Sequence, residues 1–253
     1  MRTLVDPHGI DPSNSRAGNG QAGQGDDMNR HTDREYEREL RELRDSILHM
    51  GSKVEAMVDS AMQAFDSRDA NVARRTMLID QEVDRLELEI DHRCLRLLAR
   101  RQPVASDLRF ITTSLKLVTD LERSGDLAAN ICERTLELIE YPPAQIDPRL
   151  PRMAALAREM LEDALNSFVN KDSARARSVV ERDSVVDACY AETFPALGAR
   201  MGSEPETAQR LLSVGRYLER IADHATNIAE MVVFMVEGKD VRHTFQVGPI
   251  GNA

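Results

Sequence analysis

The sequence predicts an all-α protein built as two tandem, pseudo-symmetric, antiparallel three-helix bundles with six long helices. Three observations carry that expectation. Helix formers dominate, aromatics make up only 4% of the chain and tryptophan is absent, so small aliphatic side chains must fill the interior. Apolar residues recur at three- and four-residue spacing over long stretches, the signature of amphipathic helices. The chain also repeats itself: 61–69 reads A-M-Q-A-F-D-S-R-D and 164–172 reads A-L-N-S-F-V-N-K-D, and Asp80 and Asp84 match Asp183 and Asp187 at the same offset. A repeat of roughly 100 residues, three helices to the unit and joined by short turns, is an antiparallel bundle used twice.

The elements follow in order. Residues 1–32 are rich in Gly, Asn, Asp and Ser with almost nothing to bury, and read as a disordered N-terminal tail; Met28 offers an alternative start. The first bundle is expected over 33–141. Its first helix covers 32–65, with Leu40, Leu43, Ile47, Met50, Val54, Met57, Val58 and Met62 inward and Gly51 interrupting without ending it. Asp66-Ser67-Arg68-Asp69 is a polar turn that supplies an N-cap. The second helix covers 70–101, burying Leu78, Val83, Leu86, Ile90, Cys94 and Leu97, and Pro103 stops it. The third runs over 104–140. A proline-punctuated linker is expected at 142–151, the second bundle at 152–237 and a flexible C-terminal tail at 238–253. The second copy lacks about six residues near its second turn, where Ser203-Glu204-Pro205-Glu206 reads as a capping box.

Composition narrows the function. The chain has 253 residues, enough for a substantial core in one large domain or two small ones. A formal charge of −10 repels polyanions, which argues against nucleic acid as a partner. Cys94, Cys132 and Cys189 stand singly in helical patterns, as packing thiols of a reduced, cytoplasmic protein do. The N-terminus lacks a signal-peptide core, and the longest apolar run, 231–236, is far too short to cross a bilayer, so any work at a membrane goes through partners.

The chemistry is concentrated in a duplicated motif. Residues 121–131 and 218–228 both spell L-E-R-x-x-D-x-A-x-N-I. Glu122, Asp126 and Asn130, like Glu219, Asp223 and Asn227, are four apart, so they climb one side of a helix with a drift of about 40° per step. The strip adjoins the apolar stripe through Leu108, Ile111, Leu115 and Val118, and a carboxylate at a semi-buried edge demands a counter-charge, a hydrogen bond or a metal. All six are oxygen donors, which suits hard cations such as Mg, Mn, Ca or iron, and zinc less well. The competing reading is a pair of solvated edges whose carboxylates pair with Arg123 or Arg220. His224, about 100° round from Asp223, reads as a supporting or packing histidine. A second feature is R-R-Q-P-V-A-S-D-L-R at 100–109, where Arg100, Arg101 and Arg109 beside a new helix N-terminus offer contacts for an anion or an acidic partner.

On the duplicated motif, the three-helix repeat and the arginine-rich turn, the chain resembles the PhoU family of phosphate-specific transport accessory proteins over about residues 35–237. The long glycine-rich N-terminal tail departs from the family pattern. The resemblance implies two pseudo-symmetric bundles in a homodimer, with metal clusters of one or several ions held by Glu122, Asp126 and Asn130 in the first bundle and Glu219, Asp223 and Asn227 in the second. Fe, Zn, Mg or Mn are the metals it brings into view. It further implies a cytoplasmic negative regulator, not a catalyst, which restrains the ATPase-driven phosphate ABC transporter and quiets the phosphate-sensing histidine kinase when phosphate is plentiful. Two alternatives compete: a metal-free helical scaffold and a ferritin-like di-metal carboxylate protein. The ferritin-like class needs a Glu-x-x-His pair on each of two helices, and only Glu89 to His92 has that spacing within a core helix.

Overall fold

The computed structural model describes residues 22–239, with side chains from residue 34 onward. The chain divides into two units, residues 1–40 and residues 41–253, and the second contains the candidate site. Among the described residues there are six α-helices, one short 3-10 turn and no strand. The helices are α1 (Ala22–Ser67), α2 (Ala70–Arg100), α3 (Ala105–Ile139), α4 (Arg149–Asn170), α5 (Ser173–Gly198) and α6 (Pro205–Glu237). The all-α architecture expected from the sequence is present.

Two boundaries differ from expectation. Helix α1 begins at Ala22, ten residues before the expected start at 32; the rest of the expected tails, 1–21 and 240–253, lies outside the described residues. Helix α4 begins at Arg149, inside the expected 142–151 linker. Asp147 starts it: its carboxylate accepts from the Arg149 backbone N–H at 3.0 Å and from the Arg149 guanidinium at 2.8 and 2.6 Å. Pro151 then falls in the first turn, where a missing N–H costs no intrahelical hydrogen bond.

The repeat is visible at atomic detail in its first turns. Arg68 and Lys171 both adopt the left-handed conformation, with φ 54° and 53°. The next residue in each copy folds its N–H back to a helical carbonyl, Asp69 to Ala64 at 3.1 Å and Asp172 to Ser167 at 2.9 Å. This is the Schellman closure of a helix C-terminus. Those same aspartates then cap the following helices, Asp69 accepting from Asn71 and Val72 and Asp172 from Arg175. The second turns differ. The capping box expected at 203–206 does not form: Glu204, not Ser203, occupies the cap position, and the Ser203 hydroxyl instead donates back to the Arg200 carbonyl at 3.3 Å.

Helix α3 packs along α2, and α6 along α4 and α5, as two three-helix bundles require. The bundles also share an interface, since α3 lies against α6. The ring of Phe110 on α3 stacks on Phe168 of α4, with centroids 5.3 Å apart. Two arginines tie off helix ends. Arg68 donates to the carbonyls of Leu138 and Tyr141 at the end of α3, both at 2.6 Å. Arg109 donates to the Met235 carbonyl in the last turn of α6 at 3.1 Å, so the two motif helices run antiparallel. Cys94, Cys132 and Cys189 are buried and free, and burial pushes the Cys94 and Cys132 thiols up to about 12.

Leu78 is the one residue expected in the α2 core that is not there; it is 63% exposed. The buried stripe passes from Thr76 to Val83 through position 80, so the side chain on the inner face is Asp80.

Candidate metal centres

Asp80 lies on the buried stripe of α2 between Thr76 and Val83 and therefore points its carboxylate toward α3. It meets Asp126 there: one oxygen each from Asp80, Asp84 and Asp126 lie within 4.8 Å of one another. In the second bundle Asp187, Glu219 and Asp223 form a corresponding group within the same 4.8 Å. Each group joins the motif helix of its bundle to the preceding helix, α2 or α5. Three carboxylate oxygens at such separations can converge on one hard cation.

Electrostatics at both places are those of carboxylates short of partners. Burial, with the Asp126 and Asp84 charges, pushes Asp80 up to about 6. Burial and Asp126 push Glu122 up to about 7. Burial and Asp187 push Asp183 up to about 6, and Glu219 and Asp223 are also raised, by burial first and then by Asp223 and Asp187 respectively. Two buried oxygens, Oδ1 of Asp80 and Oε2 of Glu219, have no hydrogen-bond partner. A buried carboxylate oxygen without a donor is costly. A cation would satisfy both, so the donor set fits a hard metal ion.

The expected ligands divide into three sets. Asp126, Glu219 and Asp223 sit in the clusters. Glu122 stands beside the first, close enough to feel Asp126 and Asp84, and its side chain is only 16% exposed. Asn130 and Asn227 lie one turn further on. Asn227 donates to Asp120 of α3 at 3.3 Å, and His224 meets the same Asp120 oxygen at 2.8 Å, so the two motif helices are joined beside their strips. The arginine pairing weighed against a metal is also present in part. Arg123 reaches Glu122 at 3.4 Å and Asp126 at 3.2 Å, and Arg216, not Arg220, reaches Glu219 at 2.6 Å. Each arginine neutralises one side of the strip and leaves the inner oxygens facing the preceding helix.

Asp80, Asp84 and Asp187 were not among the ligands expected from the motif. Their signal was in the sequence, as an acidic pair repeated at the offset of the first turn. At the arginine-rich turn, Arg100 is exposed, Arg101 is the C-cap of α2 and Arg109 is committed to α6. The ferritin-like alternative fails on geometry: Glu89, 56% exposed, pairs with Arg85, and His92 is exposed, so neither projects into the bundle.

The PhoU domain matches residues 47–135 and 150–232, one stretch in each bundle. The chain belongs to the PhoU family. Curated relatives agree across most of the chain. A phosphate-specific transport system accessory protein PhoU homologue of Pseudomonas putida is 39% identical over 85% of this chain and 86% of its own length. The Pseudomonas aeruginosa homologue is 38% identical over 86% and 92%. The crystal structure of PhoU from Pseudomonas aeruginosa superposes with a TM-score of 0.78 at 36% identity, covering 81% of this chain and 100% of that one. That of the phosphate transport system regulatory protein PhoU from Streptococcus pneumoniae gives 0.76 at 31% identity, covering 81% and 99%. PhoU proteins are regulatory accessory proteins of phosphate transport, not enzymes. No helix among the described residues is long and apolar enough to cross a membrane.

Proposed function

We propose that this chain is a metal-loaded negative regulator of phosphate uptake and phosphate-starvation signalling. It acts in the cytoplasm as a homodimeric adaptor, docking on the ATPase subunit of the phosphate ABC transporter and on the phosphate-sensing histidine kinase when phosphate is plentiful. The observation that carries the metal reading is the pair of unpartnered buried oxygens, Asp80 Oδ1 and Glu219 Oε2, one in each symmetry-related carboxylate cluster. Asp80, Asp84 and Asp126, with Glu122 beside them, would hold ions in the first bundle; Asp187, Glu219 and Asp223 would do so in the second. Asn130 and Asn227 complete the strips. Oxygen donors alone favour iron, Mn or Mg over zinc. The metal supplies positive charge that lets the semi-buried carboxylates stay ionised and fixes α2 to α3 and α5 to α6.

The deciding experiment compares purified wild type with a variant carrying Glu122→Ala, Asp126→Ala, Glu219→Ala and Asp223→Ala. Elemental analysis should find bound metal in the first and little in the second, with unchanged helical content. In phosphate-replete cells the variant should fail to silence a phosphate-starvation reporter. Near-zero metal in both would overturn the metal centres and leave the helical surfaces as the regulatory element. Full silencing by the metal-free variant would separate regulation from metal.

A further inference from the structure

The two carboxylate clusters are related by the repeat but are not copies of one another. In the first, Asp80 belongs to the group with Asp84 and Asp126. Its counterpart Asp183 is absent from the second group, where Glu219 stands with Asp187 and Asp223 instead. The motif residue that differs nearby is Ala129 in the first copy and Thr226 in the second. The Thr226 hydroxyl donates to Asp183 Oδ1 at 3.1 Å. Ala129 has no hydroxyl to offer, and Asp80 Oδ1 is left buried without a partner. A carboxylate oxygen already satisfied by a neutral donor gains less from a cation than an orphaned one.

Charge differs in the same sense. Three residues before each motif glutamate stand Thr119 and Arg216, and three residues after Asp84 and Asp187 stand Glu87 and Tyr190. In the first copy the Thr119 hydroxyl donates to the Glu87 carboxylate at 3.3 Å, and that negative charge acts on Glu122. In the second copy the same pair is cationic and aromatic. The Arg216 guanidinium lies 5.9 Å from the Tyr190 ring centre and donates to Glu219 Oε1 at 2.6 Å. Arg220, the counterpart of Arg123, brings a further positive charge to Asp223. The second cluster thus faces two arginines where the first faces one. Glu230 adds a negative charge near Asp183, but its counterpart Glu133 is also an acid, so that position does not separate the copies.

We propose that the two metal centres are inequivalent: the first holds its cation tightly, and the second is a weaker, exchangeable site, set so by Arg216 and Thr226. The inference rests on the metal reading of the clusters given above. Arg216 is the internal counter-ion of the second site. A cation arriving there must displace a guanidinium from Glu219 and compete with the Thr226 hydroxyl for Asp183, and neither opponent exists in the first site. One such charge, a few ångströms away and partly screened, is worth about tenfold in affinity. The second centre therefore follows the free metal concentration while the first stays loaded.

The test titrates the metal-stripped full chain with Mn²⁺ and follows free manganese by electron paramagnetic resonance. Wild type should show two classes of site, about tenfold or more apart in affinity. Asp80→Asn with Asp126→Asn should abolish the tight class, and Asp187→Asn with Asp223→Asn the weak one. Arg216→Thr should tighten the weak class about tenfold, and adding Thr226→Ala should tighten it further. Thr226 is buried, so circular dichroism checks that double variant, while the exposed Arg216 carries the test by itself. Thr119→Arg, at an exposed position, should weaken the tight class by about tenfold in turn. A single class of equal sites, a weak class that maps to the first cluster, or an unchanged affinity in Arg216→Thr overturns the inference and leaves the metal centres in place. Wild type that takes up no manganese removes the centres themselves, and this inference with them.

Discussion

Asp80 shows how a single residue reveals the candidate site. Its position on the inner stripe of α2 forces a carboxylate toward α3, where it meets Asp126 and rises to about 6. Glu122 and Asp183 rise to about 7 and 6 for the same first reason, burial. Without metal, these groups bind protons in the folded protein at pH values where the unfolded chain, with ordinary carboxylates near 4, has released them. The folded state then holds more protons between about pH 4 and pH 7, so stability falls as pH rises through that window. Chelator-treated protein should therefore melt at a lower temperature at pH 7.5 than at pH 5.5, and added metal should erase most of the difference. Asp80→Asn should raise the melting temperature of the metal-free protein at pH 7.5 by about 2–4 °C, the equivalent of about 1 kcal/mol. It should also lower metal content. An Asp80→Asn melt unchanged or lower under those conditions would show that the carboxylate is not strained.

At the scale of elements, Gly51 explains why a glycine interrupts α1 without ending it. A Cβ built there lies 2.4 Å from Cδ1 of Leu165 on α4, and Leu165 is only 3% exposed. Glycine lets the two helices approach, at a cost in helix propensity. Gly51→Ala regains about 1 kcal/mol of that propensity but forces a buried leucine to move, an overpacking cost of about 1–3 kcal/mol. The net expectation is a loss of about 1 kcal/mol in chemical denaturation, recovered in part by adding Leu165→Val. Stabilisation by Gly51→Ala alone would place α1 and α4 further apart. Most elements were legible because each has a stripe of period 3.6 and each first turn has its own cap. The failures have physical causes. Leu78 looked buried because it is apolar, whereas the 73–76–80–83 spacing places Asp80 inward. Ser203-Glu204-Pro205-Glu206 looked like a capping box, but the helix starts one residue later, with Glu204 at the cap, and the Ser203 hydroxyl turns back to the Arg200 carbonyl. The linker looked longer because its last proline sits in the first turn of α4.

At the scale of the molecule, the repeat showed the two bundles but not how they join, since a stripe that packs within a bundle also serves an interface between bundles. Of the six expected ligands the clusters contain Asp126, Glu219 and Asp223, while Asp80, Asp84 and Asp187 required knowing that α2 and α5 present their repeated acidic pairs to the motif helices. The shared interface has a consequence for unfolding. Phe110 stacks on Phe168, Asp120 holds His224 and Asn227, and α3 lies along α6, so neither bundle can open without exposing the other's core. Metal bound only to the folded form stabilises the whole cooperative unit. Asp80→Asn with Asp84→Asn should therefore leave about half the bound metal and remove part of the metal-dependent rise in melting temperature, while scanning calorimetry still records one transition. The same single transition should follow loss of the second cluster through Asp187→Asn with Asp223→Asn. Two resolved transitions in either variant would mean that the bundles unfold separately and that the Asp120 bridge and the aromatic stack do not couple them.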